Sequence, residues 1–221
     1  MSSTIMSSYA RSIGDHLRKP GGGIYGWMVK RFFKKQSRPL EKATVMHCKI
    51  QPNESVLELG FGSGFGIQYA AQLVKNGSGK VYGIDFSPVM MTEAMELLKE
   101  EISSNKVQLT LGDVSDLPYR DDSIDKVFHC NCYYFWDDRQ KVLNNIHRIL
   151  RPGGLMITVL NRTFLQKMIG KGFLTEDQID HERYINELGN HFCDVDISDF
   201  NFRNSEKKYQ VIRAFKSKIS I

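Results

Sequence analysis

The stretch from Val56 to Gly66, VLELGFGSGFG, constrains the fold of this chain more than any other. Its first residues are apolar apart from one acid, which is typical of a parallel strand covered on both faces. Glycines then occupy every second position, so the backbone can turn sharply and approach a ligand with no Cβ in between. The pattern predicts a buried strand, a glycine-lined turn and a small molecule lying on that turn.

The spacing of these glycines narrows the kind of ligand. A dinucleotide-binding turn, G-x-G-x-x-G, has its third glycine five positions after the first. Position 65 is phenylalanine when the motif is counted from Gly60, and position 67 is isoleucine when it is counted from Gly62. Both registers fail, so the spacing argues against a dinucleotide such as NAD.

Four segments follow one another in an order that is more specific than the glycine turn alone. Glu58 precedes the turn, and Asp85 ends the next strand. The sequence GDV then follows at residues 112–114. A predicted strand and its following loop cover residues 123–136, and LRPGGL covers residues 150–155. Taken together, these segments resemble the class I S-adenosylmethionine-dependent methyltransferases of the small-molecule, methyltransferase-11-like type.

The resemblance implies that S-adenosyl-L-methionine binds on the glycine turn and at the ends of the neighbouring strands. Asp85 is expected to hold the ribose hydroxyls, because an acid about 20 positions past such a turn does so in nucleotide-binding folds. Phe86 and the segment around Asp113 are expected beside the adenine. The residues that the resemblance assigns to the cofactor are Glu58, Gly60, Phe61, Gly62, Gly64, Asp85, Phe86, Asp113, Val114 and Asn131.

The order of strand and helix patterns predicts the fold class. Further strand patterns cover residues 80–84, 107–111, 126–130 and 155–160. Helical patterns separate them, which is typical of a parallel doubly wound sheet. Two last strands, 193–200 and 207–215, have a join too short for a parallel crossover and must be antiparallel. We therefore expect an α/β fold: a doubly wound, seven-stranded, Rossmann-like sheet, mostly parallel, with a C-terminal antiparallel hairpin and helices on both faces.

The start of the chain differs in charge from the rest. The net charge is +5, and residues 1–50 hold ten Lys or Arg against two acids. We expect residues 1–49 to form a helical extension or lid and residues 50–221 to form the cofactor-binding domain. The segment 24–35 interleaves aromatic and basic residues. This segment is compatible with a helix packed on the core, with a membrane-surface or polyanion contact, or with a lid.

The acceptor of the methyl group is not specified by a motif. Transfer from a sulfonium is an in-line displacement that needs alignment and exclusion of water, so a catalytic base is optional and the catalytic residues stay unknown. By family position, the acceptor pocket begins after the fourth strand, at residues 131–136, and includes the loop 161–173. Residues 131–134 partly resemble the NPPY motif of amino-nitrogen methyltransferases but lack both prolines. The acceptor-side candidates are His16, Tyr133 and Trp136.

Cysteine usage and hydropathy exclude several classes of protein. The four cysteines show no metal-ligand spacing, so we expect reduced thiols and no metal site. No run approaches the 18 apolar residues of a membrane helix, and the N-terminus lacks a secretory core. His129, inside the fourth predicted strand, is expected to be a core residue.

The sequence therefore predicts a cytoplasmic enzyme that transfers a methyl group from S-adenosylmethionine to a small molecule, with no nucleic acid as partner. Two alternatives remain: a non-catalytic cofactor-binding partner that regulates another methyltransferase, and a lipid methyltransferase that uses the basic extension at a membrane surface. The oligomeric state is not predicted.

Overall fold

The computed structural model describes residues 38–201 and 208–218. The strands are β1 (Ser55–Leu59), β2 (Lys80–Asp85), β3 (Val107–Leu111), β4 (Ile124–Cys130), β5 (Leu150–Asn161), β6 (Asp194–Phe200) and β7 (Tyr209–Phe215). The helices are α1 (38–48), α2 (Phe65–Val74), α3 (Pro88–Leu97), α4 (Lys99–Ser103), α5 (Arg139–Ile149), α6 (Arg162–Gly170), α7 (Glu176–Ile179) and α8 (His181–His191). A 3₁₀ turn covers Tyr133–Phe135.

The seven strands form one sheet in the order β3-β2-β1-β4-β5-β7-β6. Strands β1 to β5 pair in parallel, whereas β7 is antiparallel to both β5 and β6. The predicted α/β fold with a C-terminal antiparallel hairpin is confirmed. Because the chain runs outward from β1 to β3 and then returns to the other side of β1, a crevice opens at the carboxyl ends of β1 and β4.

Two hydrophobic clusters cover the two faces of the sheet. Val56 and Leu57 are neighbours in β1, are both fully buried, and belong to different clusters. This follows from the strand geometry, since successive side chains point to opposite faces. Helices α1, α2 and α3 contribute to the cluster that contains Val56, and α5, α6 and α8 contribute to the one that contains Leu57.

Several element boundaries differ from the sequence prediction. The loop expected at residues 161–173 contains the helix α6, which begins where the Asn161 side chain accepts a hydrogen bond from the Phe164 amide. The single helix expected over residues 88–102 is two helices that meet at Leu98. The expected helical start after Ser87 is confirmed, because the Ser87 hydroxyl accepts a hydrogen bond from the amide of Met90, the third residue of α3.

Helix α1 shares its core with the sheet. Leu40, Val45 and Cys48 are buried in the same cluster as Val56 of β1. Helix α1 belongs to the extension predicted for residues 1–49, yet it shares one continuous core with the sheet of the predicted cofactor-binding domain. The rest of the predicted extension, residues 1–37, lies outside the described residues, as does His16.

Helices in the described ranges are too short or too polar to cross a membrane.

A buried polar network joins β4, β5 and α8. The Thr158 hydroxyl lies 2.9 Å from His129 Nε2 and 2.8 Å from the Tyr184 hydroxyl. His129 Nε2 and the Tyr184 hydroxyl are 3.1 Å apart. His129 is fully buried, as expected, and burial lowers its pKa to about 3. The imidazole is therefore neutral in the folded protein at neutral pH.

This network predicts a specific loss of stability in acid. In the unfolded chain His129 takes up a proton below about pH 6.5, whereas the folded protein excludes it until about pH 3, so its contribution is lost as the pH falls between these values. Between pH 7 and pH 5 the free energy of unfolding should drop by about 2 kcal/mol more in the wild type than in His129→Gln. Urea unfolding at both pH values measures this. Equal drops in both proteins would contradict the prediction.

Candidate cofactor site

The turn that follows β1 adopts a backbone conformation that favours glycine. Gly60, Gly62 and Gly64 have φ angles of +65°, +53° and +84°, a region that other residues rarely occupy. A Cβ on Gly60 or Gly64 would press against neighbouring side chains, whereas a Cβ on Gly62 would meet no atom of residues 38–201 and 208–218 within 4 Å. Of the three, Gly62 is therefore the one that faces open space, as a ligand-binding turn requires.

Asp85 ties this turn to the end of β2. Its Oδ2 accepts a hydrogen bond from the Gly62 amide and its Oδ1 accepts one from the Ser87 amide, each at 2.9 Å. The Gly60 amide donates to the Ile84 carbonyl at 2.8 Å. Burial raises the pKa of Asp85, and these two hydrogen bonds oppose the shift. Each carboxylate oxygen can accept a second hydrogen bond, so ribose hydroxyls and the turn can be held together.

Glu58 lies beneath the turn rather than beside its open face. Only 1% of its surface is exposed, and the Ile67 amide donates a hydrogen bond to its carboxylate. Gly64, the residue at the start of α2, offers no side-chain cap, so Glu58 supplies an acceptor to the N-terminus of that helix. Burial raises the pKa of Glu58 well above its usual range, and the charge of Glu41 adds to the shift. Its contact with a cofactor stays a prediction.

The remaining predicted residues of the turn and adenine side differ in exposure. The Phe61 side chain is fully buried in the core, so its backbone alone is free to line the site. Phe86 and Val114 are half-buried, and Asp113 is exposed. One Asp113 oxygen accepts a hydrogen bond from the Ser115 amide at 2.7 Å, which shapes the loop after β3. Their contacts with an adenine stay predictions.

Asn131 redirects the chain at the end of β4. Its φ of +47° is unusual for a residue other than glycine, and its Oδ1 accepts a hydrogen bond from the Asn161 amide at 3.2 Å. The residues on either side of it therefore pack on different faces of the sheet. Cys130 contacts Thr44 and packs with the cluster of α1, whereas Cys132 packs with the opposite cluster.

Cys132 lies within the segment 131–136, where the acceptor pocket is expected to begin, but it is not among the individual candidate residues. A Cβ on Gly60 would lie 2.7 Å from its sulfur, so the thiol lies directly against the glycine turn. Its position next to Asn131, already a candidate, was the available signal. The strand order brings Cys132 next to residues that are remote in sequence, and for this reason the sequence indicates its position only weakly.

The acceptor-side candidates in the described residues are buried. Tyr133 is fully enclosed and donates from its hydroxyl to the Ile179 carbonyl at 2.8 Å. Trp136 is 8% exposed and donates from its indole nitrogen to the Cys132 sulfur at 3.3 Å. Both side chains thus have partners within the protein, and contact with an acceptor stays a prediction for each. The described residues contain no cluster of His, Cys, Asp and Glu that could hold a metal ion.

The assembled site suits a ligand with a ribose and a charged or polar tail. It combines an uncovered backbone at Gly62, a carboxylate at Asp85 and the N-terminus of α2, all at the carboxyl ends of adjacent parallel strands. This is where doubly wound folds bind nucleotide-like molecules. The residues present therefore fit the expected cofactor.

Comparison with known proteins supplies an independent assignment for this part of the chain. Residues 57–158 match a family model described as a methyltransferase domain. The matched range begins in β1 and ends in β5, so it contains the glycine turn, Asp85 and the end of β4.

Two curated relatives have different acceptors in their names. The arsenite methyltransferase of Halobacterium salinarum is 37% identical over 105 residues, which is 48% of this chain and 26% of that protein. Phosphoethanolamine N-methyltransferase 2 of Caenorhabditis elegans is 32% identical over 124 residues, 56% of this chain and 26% of that protein. The chain thus matches about a quarter of the length of either relative.

A solved structure extends the similarity to nearly the whole fold. A geranyl diphosphate methyltransferase in complex with SAM superposes with a TM-score of 0.63, covering 91% of this chain and 94% of that one. The sequence identity is 14%, so this similarity concerns the fold.

The position of Glu58 predicts contrasting effects for two helical glycines. An alanine Cβ at Gly66 would lie 2.3 Å from the Glu58 carboxylate, whereas at Gly189 in α8 it would meet nothing within 4 Å. Gly66→Ala should lower the free energy of unfolding by about 1–3 kcal/mol through overpacking. Gly189→Ala should raise it by about 0.4–1 kcal/mol. Denaturant unfolding of both variants measures the difference, and equal stabilisation by both would show that the carboxylate moves aside at no cost.

Proposed function

We propose that residues 57–158, which match a methyltransferase-domain model, form a class I S-adenosylmethionine-dependent methyltransferase domain and that the chain uses this domain to methylate a small-molecule acceptor. The observation that carries the proposal is the clamped glycine turn, in which Asp85 holds the Gly62 amide while the Cβ side of Gly62 stays open. The turn lies at the point where the strand order reverses, which is the position that binds nucleotide-like ligands in such sheets.

The described residues have distinct parts in holding the cofactor. Asp85 accepts hydrogen bonds from the ribose hydroxyls, and the backbone of the turn lies against the ligand at Gly62. Phe86, Asp113 and Val114 line the adenine end. When bound, the cofactor would supply a sulfonium methyl group, whose carbon is open to in-line attack by an acceptor lone pair, with the neutral thioether S-adenosylhomocysteine as the leaving group. The protein aligns that lone pair and excludes water, so a dedicated catalytic base is not required.

The acceptor enters from the side of β4 and β5. Helix α6 and the 3₁₀ turn follow these strands at their carboxyl ends, next to the crevice. The enclosed aromatic side chains of Tyr133 and Trp136 make this side water-poor, which favours transfer over hydrolysis. Cys130 and Cys132 pack on different faces of the sheet and so do not form a two-thiol site for a soft acceptor.

The cofactor assignment predicts a selective thermal shift. S-adenosylhomocysteine, the product form of the cofactor, should bind the folded state and add about 2.7 kcal/mol of stability at 100 times its dissociation constant. NAD should leave the melting temperature unchanged, because the spacing of the glycines does not match a dinucleotide turn. Thermal melts with each ligand decide between them. A shift with NAD and none with S-adenosylhomocysteine would overturn the assignment.

The open side of Gly62 predicts where a side chain blocks binding. Asparagine tolerates a positive φ, so Gly62→Asn should stay folded but place its side chain in the ligand space and weaken S-adenosylhomocysteine binding at least tenfold. Gly172, which has a φ of +70° in the loop after α6, provides the matched control. Gly172→Asn should bind with wild-type affinity. Calorimetric titration of the three proteins tests this, and wild-type affinity in Gly62→Asn would remove the turn from the site.

Transfer itself is tested with a labelled methyl donor. Incubating the full chain with methyl-labelled S-adenosylmethionine and a metabolite extract should give a labelled small molecule. The Asp85→Ala variant should give no labelled product, because it loses affinity for the cofactor. Binding of S-adenosylhomocysteine with no labelled product from extracts, phospholipid vesicles or thiol, amine and hydroxyl compounds would favour the non-catalytic alternative. A product with the vesicles alone would favour the membrane-surface alternative.

A further inference from the structure

Cys132 occupies a position that the proposed reaction has not yet used. If residue 60 carried a Cβ, that atom would lie 2.7 Å from the Cys132 sulfur and 3.7 Å from the Cys132 Cβ. Real side chains do not approach at 2.7 Å, so this contact exists only because position 60 is glycine. The thiol and the turn therefore pack closely where the segments that follow β1 and β4 meet.

Cys132 packs against the core cluster that contains Leu57 and lies at the margin of that cluster. Cys132 is half-buried, whereas Cys48 and the aromatic residues next to it in sequence, Tyr133 and Tyr134, are buried. Burial raises its pKa to about 12, and the charges of Asp85, Glu58 and Asp113 act in the same direction. Cys132 is thus a neutral thiol among three carboxyl groups of the expected cofactor site.

Trp136 holds the thiol in place. The indole nitrogen donates a hydrogen bond to the Cys132 sulfur at 3.3 Å. The indole ring is fixed in turn, because its centroid lies 4.9 Å from the His129 ring and 6.3 Å from the Tyr184 ring, both edge-on. The indole therefore has little freedom to release the sulfur, and the rotamer of Cys132 is set by the aromatic group on the acceptor side.

We infer that Cys132 is a positioning residue of the methyl-transfer site, which keeps the Gly60 turn in its binding conformation, and that Trp136 acts through it. This inference rests on the proposed function. It assigns Trp136 an indirect role in cofactor affinity, in addition to any contact with an acceptor. A contact chain of Trp136, Cys132 and Gly60 then connects the acceptor side to the cofactor turn.

The indirect role of Trp136 is tested by a double-mutant cycle. Trp136→Phe and Cys132→Ala should each weaken S-adenosylhomocysteine binding at least threefold in calorimetric titration. The double variant should bind no more weakly than Cys132→Ala, because the indole has lost the group through which it acts. Losses that multiply would show that Trp136 acts independently and would overturn this part of the inference.

Two further variants separate positioning from general stability. Cys132→Ser replaces the sulfur by a smaller oxygen that can still accept the indole hydrogen bond, and it should recover affinity to within twofold of the wild type. Ile149→Val removes one buried methyl group at the C-terminal end of α5, at the opposite edge of the sheet from the turn; it should lower the melting temperature while leaving the affinity unchanged. If Ile149→Val weakens binding as much as Cys132→Ala does, the loss reflects stability and not position.

Thiol labelling of the wild-type protein tests the location of Cys132 without a mutation. N-ethylmaleimide labelling, followed residue by residue with mass spectrometry, should slow at least tenfold at Cys132 when S-adenosylhomocysteine is saturating. The exposed Cys193 should be unaffected, and the buried Cys48 reports global opening. Equal slowing at Cys48 and Cys132, or no slowing at Cys132, would overturn the inference. If calorimetry shows no S-adenosylhomocysteine binding by the wild type, the proposed function itself fails, and this inference fails with it.

Discussion

The pair of hydrogen bonds that Asp85 accepts from the Gly62 and Ser87 amides holds the site together. They join the segment after β1 to the segment after β2, two places that the sheet brings side by side. Hydrogen bonds to a carboxylate are stronger than those between neutral groups, and here both donors are rigid backbone groups. In the proposed site the same carboxylate also holds the ribose, so the geometry of the turn and the proposed recognition of the ribose depend on one side chain.

The turn is supported on several sides and open on one. Gly66 rests on the Glu58 carboxylate, Gly64 on Ala94 of α3, and Gly60 on the Cys132 sulfur. Each of these contacts needs a glycine, because a Cβ would lie too close to the neighbouring group. Among the described residues, only Gly62 of the four has free space on its Cβ side. Close support below and beside the turn leaves this side for the proposed cofactor.

The two faces of the sheet have different tasks. On the face of α1, α2 and α3 the apolar cluster encloses the buried carboxyl groups of Glu41 and Glu58, and it supports the turn and the start of α2. On the other face the core includes the hydrogen-bonded group of His129, Thr158 and Tyr184 beside the stacked rings of Tyr133 and Tyr184. Directional hydrogen bonds and ring contacts fix rotamers more strictly than apolar packing does. The hydrogen-bonded group therefore fixes side-chain positions on the face next to the predicted acceptor side.

The sequence by itself determined the fold class, the glycine turn and the acid at Asp85, because these depend on short-range patterns of apolar residues, glycines and spacing. It did not place α6, whose start depends on the Asn161 side chain at the end of β5, or the burial of Glu58 beneath α2. Only the tertiary structure decided that Cys132 lies against Gly60, about 70 positions away in the chain, and that Cys130 lies on the other face. The physical reason is that the pairing of β4 with β1 and the positive φ of Asn131 set these contacts, and neither is encoded by residues next to one another.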